Sequence, residues 1–591
     1  MIFKNQIYSL LIIIFFLPSI VYSQSWNKIG GDIIGEASAD KSGESISISG
    51  DGLRIAIGSY LNDGGGIGNG HVRVYRLSGG ISWEQVVNPL DGDIDGEANA
   101  DRFGRTVSLN YDGTVLAAGA IWNDGNGNRS GHVRVYHWDG SNWVQRGADI
   151  DGEAAEDQSG YVSLSSDGTV LAIGAPQNDG NGSNAGHVRV YHWDGTNWVQ
   201  RGADIDGEAA NDLSGNYLSL SDDGSTVAIG AYRNDGNSGS TTDDRGHVRV
   251  YHWDGTNWIQ RGADIDGEAE KDYSGYSVSM NNDGTIVAIG AKQNDGNGFN
   301  SGHVRVYKWD GSNWVQRGID LDGEAAGDES GASVSINDDG DWIIIGAQFA
   351  DAPGKGNTGH GRVYRWDGTA WSKIGDDIDG EAGDELGNAV TMNSLGSSVA
   401  LSSLEHDPSS PVFKSDPGIV RVYSSPQPYV SISVSSSSIS EASGSSTITV
   451  NSSVYTSDVT VKLNASSTAV GGGRDYTLSD YEVTIPAGAI SATITLTAVQ
   501  DAIYEQNETI VLTVTEVTNG IENGIQKQTI TIVDDESPPS SPDDDGDGVI
   551  DFIYKLADDL DDDNDGISDA EEGLDCEPLV PWDVDGSFDI L

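Results

Sequence analysis

Cysteine is almost absent from this sequence, since Cys576 is the only one among 591 residues. A single cysteine excludes an intrachain disulfide framework, which exported domains often use for stability. An exported protein without disulfides often relies on another stabilising element. Bound calcium is one candidate, because a ligand that binds only the folded state stabilises that state.

Positive charge is also scarce. The chain has 32 Lys and Arg residues against 92 Asp and Glu residues, which gives a net charge of −60. A chain this acidic repels the phosphate backbone of DNA and RNA, so we expect no nucleic-acid partner. Clustered carboxylates attract divalent cations, whereas evenly spread ones form a solvated acidic surface.

Long hydrophobic runs are confined to the N-terminus. Residues 1–23 combine Lys4, the apolar run Leu10–Leu17 and the small-residue pattern of Val21 and Ser23, which is typical of a secretory signal peptide. We therefore expect a secreted or cell-surface protein with no transmembrane segment after the signal is removed. An uncleaved membrane anchor is the alternative, although the run is short for a span.

Helical patterns are missing as well, since we find no convincing long amphipathic segment. The 79 glycines are accompanied by Val, Ile, Tyr and Trp that alternate with Ser, Thr and Asn, which is typical of short strands joined by turns. The chain is too long for one ordinary core, so we expect several all-β domains.

A repeated unit fills residues 24–426. Each copy reads as strand, tight turn, strand, long loop and two more strands, as in the stretch from Ser274 to Trp314. The Gly-Glu pair of the loop GEAxxD recurs at Glu36, Glu97, Glu153, Glu208, Glu268, Glu324 and Glu381. The Tyr of the RVY strand recurs at Tyr75, Tyr136, Tyr191, Tyr251, Tyr307, Tyr364 and Tyr423. Each marker occurs seven times, so we expect seven units.

The first and last copies complete each other. A Trp opens the fourth strand at Trp83, Trp143, Trp198, Trp258, Trp314 and Trp371, but the last unit ends at RVYSSPQP without one. The segment at Trp26 precedes the first unit and can supply the missing strand. Such an exchange closes the ring and removes open sheet edges, so we predict a seven-bladed β-propeller over residues 24–426. An open solenoid of sheets is the alternative.

The order SG-x-SV, hairpin, VAIGA, loop and GHVRVY is similar to FG-GAP repeats, the blades of integrin α-chain propellers. Phe103-Gly104 supplies the Phe-Gly itself. The resemblance implies the propeller shape with seven blades. Calcium-bearing members carry a DxDxDG-type loop between the first two strands, where this chain has only short turns such as Asn282-Asp283-Gly284. These turns hold too few oxygens for calcium, so the resemblance implies the shape without the blade calcium.

Catalysis is not indicated by the repeats. Histidine recurs at one strand position, at His71, His132, His187, His247, His303 and His360, and such regularity favours a structural role because an active site breaks a repeat. The loop acids, such as Glu268 and Asp272, are interpreted as solvated turns, with a cation or partner site as the alternative. We find no asymmetric nucleophile–base group and expect no enzyme. The loops at 241–245 and 351–357 break the repeat, and we expect a ligand to be recognised there.

A second domain is predicted over residues 429–536. Alternating Ser, Thr and Val segments indicate about seven strands of an immunoglobulin-like β-sandwich. The motifs RDYTLS, IPAGAISATITLTAVQD and the closing IVDDE resemble a Calx-β domain, in which acidic side chains at one end of the sandwich hold calcium. By that resemblance the ligands are Glu441, Asp475, Asp501, Glu505, Glu508, Asp534 and Asp535. Like charges this close favour a bridging cation, and an empty polar end is the alternative.

An acidic tail follows a linker at 537–542. It carries Asp at alternate positions and then Gly, a pattern that supplies the oxygens and the sharp turn of a calcium loop. The predicted ligands are Asp543, Asp545, Asp547, Asp551, Asp561, Asp563, Asp565, Asp569 and Glu572. The pattern resembles thrombospondin type 3 repeats more than EF-hands, because Ile567 lies one position too early for an EF-hand. We predict calcium-binding repeats over residues 543–591.

These features favour a secreted or cell-surface, calcium-binding, adhesin-like protein. The propeller would be the recognition head for an extracellular protein or glycan ligand, and the C-terminal modules would form a stalk stiffened by Ca²⁺. All three modules occur in bacterial surface proteins, which is an argument by analogy. The alternatives are an enzyme that acts on extracellular polysaccharide and a structural component of the cell envelope or matrix.

Overall fold

The computed structural model describes residues 25–535 except 80–81, 87–92, 237–241, 407–416, 427, 443, 453–457, 469–474, 487–488, 501–505, 519 and 523–525. The regular structure of this range is built from β-strands, which confirms the predicted all-β class. Within it, no helix is long and apolar enough to cross a membrane. The predicted signal peptide, the linker at 537–542 and the predicted calcium loops at 543–591 lie outside the described residues.

The first domain consists of seven sheets in chain order. Strands β1 (Asn27–Lys28) and β2 (Ile33–Ile34) precede blade 1, which contains β3 (Ser42–Ile48), β4 (Arg54–Ser59), β5 (His71–Ser78), β6 (Ser82–Gln85) and β7 (Ile94–Asp95). Blade 2 contains β8 (Phe103–Leu109), β9 (Val115–Ala120), β10 (His132–Trp138), β11 (Trp143–Gln145) and β12 (Ile150–Asp151). Blade 3 contains β13 (Tyr161–Leu164), β14 (Val170–Ala175), β15 (His187–Trp193), β16 (Trp198–Gln200) and β17 (Ile205–Asp206).

The remaining blades repeat this pattern. Blade 4 contains β18 (Tyr217–Leu220), β19 (Thr226–Ala231), β20 (His247–Trp253), β21 (Trp258–Gln260) and β22 (Ile265–Asp266). Blade 5 contains β23 (Ser274–Met280), β24 (Ile286–Ala291), β25 (His303–Trp309), β26 (Trp314–Gln316) and β27 (Leu321–Asp322). Blade 6 contains β28 (Ser333–Ile336), β29 (Trp342–Ala347), β30 (His360–Trp366), β31 (Trp371–Lys373) and β32 (Ile378–Asp379). Blade 7 contains β33 (Val390–Met392), β34 (Ser398–Ser403) and β35 (Ile419–Ser424).

Within a blade the strands pair antiparallel in chain order. In blade 5, β23 pairs with β24 and β24 with β25, and the outer edge of β25 is covered by β26 and then β27. The predicted fourth strand is therefore divided into two short segments on one partner. These repeated sheets are the blades of a β-propeller, as the repeat markers predicted.

The two ends of the ring share blade 7. Strand β1 pairs with β35 in the register Asn27↔Ser424, and β2 pairs with the same strand in the register Ile33↔Val420. This pairing confirms that the segment at Trp26 completes the last blade. The exchange covers the outer edge of β35, which would otherwise be an open strand edge.

Neighbouring blades approach closely at the Gly of the second strand in blades 1 to 6. A Cβ at Gly290 would lie 2.1 Å from the carbonyl oxygen of Gly331 in the next blade, so a side chain does not fit there. On the same strand, Val287 and Ile289 are buried in one cluster with Val248 of the preceding blade. Apolar burial between adjacent sheets therefore holds the blades together.

The paired tryptophans lie between blades. The ring centroids of Trp309 and Trp314 are 5.5 Å apart, and Trp314 Nε1 donates a hydrogen bond to the carbonyl oxygen of Arg261 in the preceding blade at 2.7 Å. Trp26 makes the equivalent bond to the carbonyl oxygen of Ile374 at 3.0 Å. The N-terminal strand thus repeats a contact that Trp83, Trp198, Trp258, Trp314 and Trp371 also make, whereas Trp143 Nε1 is buried without a hydrogen-bond partner among the described residues.

The second domain is a sandwich of two five-stranded sheets. Its strands are β36 (Tyr429–Val434), β37 (Ser438–Ser440), β38 (Ser445–Ser452), β39 (Val459–Ser467), β40 (Tyr476–Leu478), β41 (Glu482–Ile485), β42 (Ser491–Ala498), β43 (Glu508–Thr518), β44 (Ile521–Glu522) and β45 (Lys527–Val533). One sheet has the order β40-β42-β38-β36-β44 and the other β37-β45-β43-β39-β41. Alternate residues such as Ile448, Leu496 and Ile510 face inward and are fully buried between the sheets.

Replacing Trp26 by Ala should weaken the closure of the ring. Trp26 is 7% exposed and is buried with Trp342 and Leu401. Truncation of a buried Trp costs about 3–5 kcal/mol, so we expect that loss in the free energy of unfolding of the propeller, measured with denaturant. The control is Leu53→Ala, because Leu53 is 50% exposed. If both variants unfold like the wild type, the N-terminal strand does not hold the ring closed.

Candidate functional site

The central channel of the propeller is the first candidate site. It is lined by the innermost strand of each blade and by the residues just before that strand, and it encloses a cavity of about 310 Å³. This volume is near the lower end of the range for small-molecule sites. The repeat geometry brings one short segment from every blade to this channel.

The repeat is broken where it faces the channel. One channel position follows a Gly that lies at or just before the start of the innermost strand. It is occupied by Glu44, Arg105, Asn216, Tyr276, Ala332 and Asn388 in blades 1, 2, 4, 5, 6 and 7. In blade 3 one residue is missing, because Tyr161 follows Gly160 directly and pairs with Gly174. The blades that we expected to be near-uniform therefore present different side chains at this position. The sequence shows this variation as a residue that differs from copy to copy directly after the Gly.

Tyrosines form one wall of the channel. The ring centroids of Tyr217 and Tyr276 are 4.9 Å apart, and the ring of Tyr232 lies 5.4 Å from that of Tyr276. Burial raises the pKa of Tyr161, and burial together with the adjacent Tyr276 raises the pKa of Tyr217. These two hydroxyls are therefore protonated at neutral pH, where they can donate or accept a hydrogen bond.

Charged pairs lie beside the tyrosines. Glu44 and Arg105 form an ion pair, and Lys292 Nζ lies 3.2 Å from Glu329 and 4.0 Å from the ring centroid of Tyr276. Burial alone would lower the pKa of Arg105 and Lys292, but it is outweighed by Glu44 for Arg105 and by Tyr276 and Glu329 for Lys292, so both pKa values are raised. The channel thus combines aromatic faces with cations and carboxylates on different blades.

Hairpin turns are linked around the far end of the innermost strands. In each link, the backbone N–H of one turn donates a hydrogen bond to a backbone carbonyl oxygen of the turn in the next blade. The donor and acceptor residues are Tyr111 and Ser166, Ser166 and Asp222, Asp222 and Asn282, Asn282 and Asp338, Asp338 and Ser394, and Ser394 and Gly50. This arrangement brings the carboxyls of Asp222 and Asp338 into the same region. Burial first, and then Asp222 and Asp339, raise the pKa of Asp338 to about 7.

The predicted calcium ligands of the second domain gather at one end of the sandwich. Glu441 follows β37 and its N–H donates to the carbonyl oxygen of Val533 at 3.0 Å. Strands β37 and β45 run parallel, so Glu441 and the pair Asp534 and Asp535 leave the sheet at the same end. Glu441 is 5% exposed, and both carboxylate oxygens of Asp534 are buried without a hydrogen-bond partner in the described part of the chain.

Two further predicted ligands lie at this end. Glu508 opens β43, which pairs antiparallel with β45. Asp475 precedes β40, and its carbonyl oxygen accepts a hydrogen bond from Val499 at 2.9 Å. Asp501 and Glu505 lie outside the described residues. A buried carboxylate without a partner is costly, and clustered carboxylates are the ligands that calcium prefers, so this end fits a Ca²⁺ ion.

A third group recurs around the propeller. In each of five blades a Glu, a His and an Asp offer ligand atoms within 4.8 Å of one another. The sets are Glu36, His71 and Asp93; Glu97, His132 and Asp149; Glu153, His187 and Asp204; Glu208, His247 and Asp264; and Glu268, His303 and Asp320. Each Glu comes from a Gly-Glu loop, and each His begins the third strand of the next blade. The five histidines are each 1% exposed.

The last Asp of the GEAxxD loop has a different role from the one expected. Asp272 is 3% exposed and accepts hydrogen bonds from Asn294 Nδ2 at 3.0 Å and from the N–H of Ala269 at 2.9 Å. The prediction of a solvated turn is therefore wrong for Asp272, because its carboxylate is buried to hold the loop. Glu268, by contrast, has a side chain that is 46% exposed.

Two segments match known families. Residues 425–536 match the Calx-beta domain, and residues 93–136 match the FG-GAP repeat. Residues 425–536 are a Calx-beta domain. These matches confirm the two resemblances carried by the motifs of the propeller and the sandwich. The comparison with curated proteins gave no match.

The matching solved structures include three that share little sequence identity with this chain. The periplasmic gluconolactonase PpgL of Pseudomonas aeruginosa has a TM-score of 0.37 and 12% identity, over 57% of this chain and 86% of that one. The GH74 enzyme of Niastella koreensis has a TM-score of 0.37 and 10% identity, over 85% of this chain and 74% of that one. The apo form of the Calx CBD1 domain has a TM-score of 0.16 and 12% identity, over 19% of this chain and 99% of that one. At these TM-scores the likenesses carry no argument about function.

The stability of the propeller should depend on the ionisation of Asp338. Its raised folded-state pKa means that its contribution is complete below about pH 4 and is lost as the pH rises through about 7. Asp338→Asn cannot ionise, so we expect the variant to gain roughly 1–3 kcal/mol over the wild type at pH 8 and almost nothing at pH 4. Urea unfolding at both pH values measures the difference. The control is Glu84→Gln, whose side chain is 53% exposed, and an equal gain at both pH values would contradict the assignment.

Proposed function

We propose that this protein is an exported, calcium-binding recognition protein, adhesin-like in organisation, whose propeller binds a glycan at the central channel. The observation that carries the proposal is the broken repeat, because the related blades present Glu, Arg, Asn, Tyr or Ala at one channel position and blade 3 lacks that residue. A purely structural ring has no need of such variation. The FG-GAP and Calx-beta matches favour an extracellular or surface location.

A glycan is a better ligand for this channel than a protein surface. The cavity of about 310 Å³ admits a small unit rather than a broad interface. The rings of Tyr217 and Tyr276 offer apolar faces for the C–H faces of a sugar. The Glu44–Arg105 pair and the amides of Asn216 and Asn388 offer donors and acceptors for hydroxyl groups.

Calcium belongs to the C-terminal part in this proposal. The residues that would hold it in the Calx-beta domain are Glu441, Asp475, Glu508, Asp534 and Asp535, with Asp501 and Glu505 as further predicted ligands. The ion would neutralise the clustered carboxylates and join the strand ends that carry them. The loops at 543–572 would extend this calcium-stiffened stalk.

An enzyme that acts on extracellular polysaccharide is the second candidate. The observation that favours it is the group formed by Tyr276, Lys292 and Glu329, which places a hydroxyl, an amine and a carboxylate on neighbouring blades beside the channel. Such groups can exchange protons when a substrate lies within hydrogen-bond reach. The sequence predicts no enzyme. Turnover of the bound glycan is the measurable property that distinguishes that expectation from this alternative.

Replacing Tyr276 by Ala should weaken glycan binding. The change removes an aromatic face and the neighbour of both Tyr217 and Lys292, so we expect the wild type to bind a subset of an extracellular glycan array and the variant to bind those glycans at least about tenfold more weakly. The control is Tyr481→Ala, because Tyr481 is an exposed Tyr of the other domain.

The same array separates the alternatives. Equal binding by the wild type and Tyr276→Ala, or no binding by the wild type with and without calcium, would contradict a recognition site in the channel. Release of shortened glycan from the array by the wild type, and its loss in Lys292→Met, would favour the enzyme. Retention of intact glycan favours recognition.

Calcium removal should destabilise the Calx-beta domain. For extracellular sites with Kd on the order of 10⁻⁴–10⁻³ M, 10 mM calcium should stabilise by roughly 1–3 kcal/mol, and a chelator should remove this gain. Asp534→Asn should reduce it, because both oxygens of Asp534 are buried and lack a hydrogen-bond partner among the described residues. Glu516→Gln is the control, since its side chain is 55% exposed at the surface pair with Lys462. Thermal unfolding that a chelator leaves unchanged in the wild type would overturn the assignment.

A further inference from the structure

The recurring Glu–His–Asp sets are most fully defined in blade 5. His303 Nδ1 lies 3.9 Å from Glu268 Oε2, 3.9 Å from Asp320 Oδ2 and 4.0 Å from Asp322 Oδ1. Three carboxylates, one from the Gly-Glu loop and two from the segment that contains β27, therefore lie near one imidazole nitrogen. These separations exceed those of hydrogen bonds. Two ligands of one cation, each about 2.1 Å from it, are separated by roughly 3–4 Å.

The imidazole itself is buried without partners. His303 is 1% exposed, and neither ring nitrogen has a hydrogen-bond partner in the described part of the chain. A buried polar atom that lacks a partner carries a desolvation cost of about 1–3 kcal/mol. Its Nδ1 is directed at the carboxylates, so a ligand that bonds to all four groups would remove this cost.

The local charge also favours a cation. Arg305 is the nearby guanidinium, with one nitrogen 3.7 Å from Glu268 Oε1 and another donating to the carbonyl oxygen of Asp266 at 2.7 Å. Asp320 uses its other oxygen to accept a hydrogen bond from Gln316 at 2.6 Å. Three carboxylates and one guanidinium leave two negative charges, which is the charge that one divalent cation neutralises.

We propose that the propeller carries a ring of divalent transition-metal sites, one in each of blades 1 to 5, between the buried His, the Gly-Glu loop carboxylate and the Asp that directly precedes the outer strand. Zn²⁺ and Mn²⁺ are the ions of this class that suit one imidazole nitrogen with carboxylate oxygens. Ca²⁺ prefers an all-oxygen shell, so these sites are chemically distinct from those of the Calx-beta domain.

Blade 7 contains a natural comparison. Its third strand begins with Ile419 in place of the His, and Ile419 is fully buried. The fold therefore accommodates an apolar side chain at this strand position. Ile419 also removes the nitrogen ligand, so blade 7 should bind no such metal. The substitution His303→Ile copies blade 7 into blade 5 and tests the site with a side chain that the propeller already uses.

The experiment measures metal in the full chain. Chelator-treated protein is titrated with ZnCl₂ alone or MnCl₂ alone by calorimetry, and crystals soaked in the same ion are examined by anomalous diffraction. We expect an anomalous peak beside His Nδ1 in each of blades 1 to 5 and none beside Ile419. His303→Ile should lose the blade 5 peak and one equivalent of metal, while His252→Gln, outside the sets, should lose neither.

A second variant keeps the test valid if His303→Ile fails to fold. Asp320→Asn keeps the size of the side chain and should weaken zinc binding in blade 5 at least about tenfold while the other blades keep their ions. Two results would overturn the proposal. One is anomalous scattering confined to the second domain or absent, and the other is retention of the blade 5 peak in folded His303→Ile or unchanged zinc affinity of that blade in Asp320→Asn.

Discussion

The close approach of neighbouring blades at the second strand is the contact on which the rest of the molecule depends. A Cβ at Gly290 would lie 2.1 Å from the carbonyl oxygen of Gly331, and the same constraint recurs between other blades. Glycine at this point in blades 1 to 6 lets each of those sheets pack closely against the next, and Ser402 takes its place in blade 7. Apolar side chains such as Val287 fill the space between the sheets. Strands β1 and β2 complete the last blade, so the packing continues around the ring.

Packing also separates the positions that must repeat from those that are free to vary. The second-strand glycines, the inter-blade tryptophans and the buried loop carboxylates such as Asp272 contact a neighbouring segment and are therefore constrained. The residue after the Gly at the start of each innermost strand faces the channel and escapes this constraint, which is why side chains as different as Arg105 and Tyr276 occupy equivalent positions. In our proposal, recognition uses the free positions and metal binding uses repeated ones.

Much of this architecture was predictable because the same strand and turn motifs recur in every copy of the repeat. The markers GEAxxD, RVY and the tryptophans predicted the blades, and Trp26 predicted the closure, since a missing strand at one end matched an extra strand at the other. The aromatic wall was not predicted, because Tyr217 and Tyr276 are distant in sequence and come together only through curvature of the ring. The burial of Asp272 was missed because solvent exposure of a loop depends on the neighbouring segment rather than on its composition.

The central claim is that the channel binds a glycan. A crystal structure of the full chain soaked with a short glycan selected from the array tests it most directly. The proposal predicts electron density for a sugar ring against Tyr217 and Tyr276, with its hydroxyl groups within hydrogen-bond distance of Arg105 or Glu44. Density on the outer loops with an empty channel, at a glycan concentration that saturates binding in solution, would contradict it.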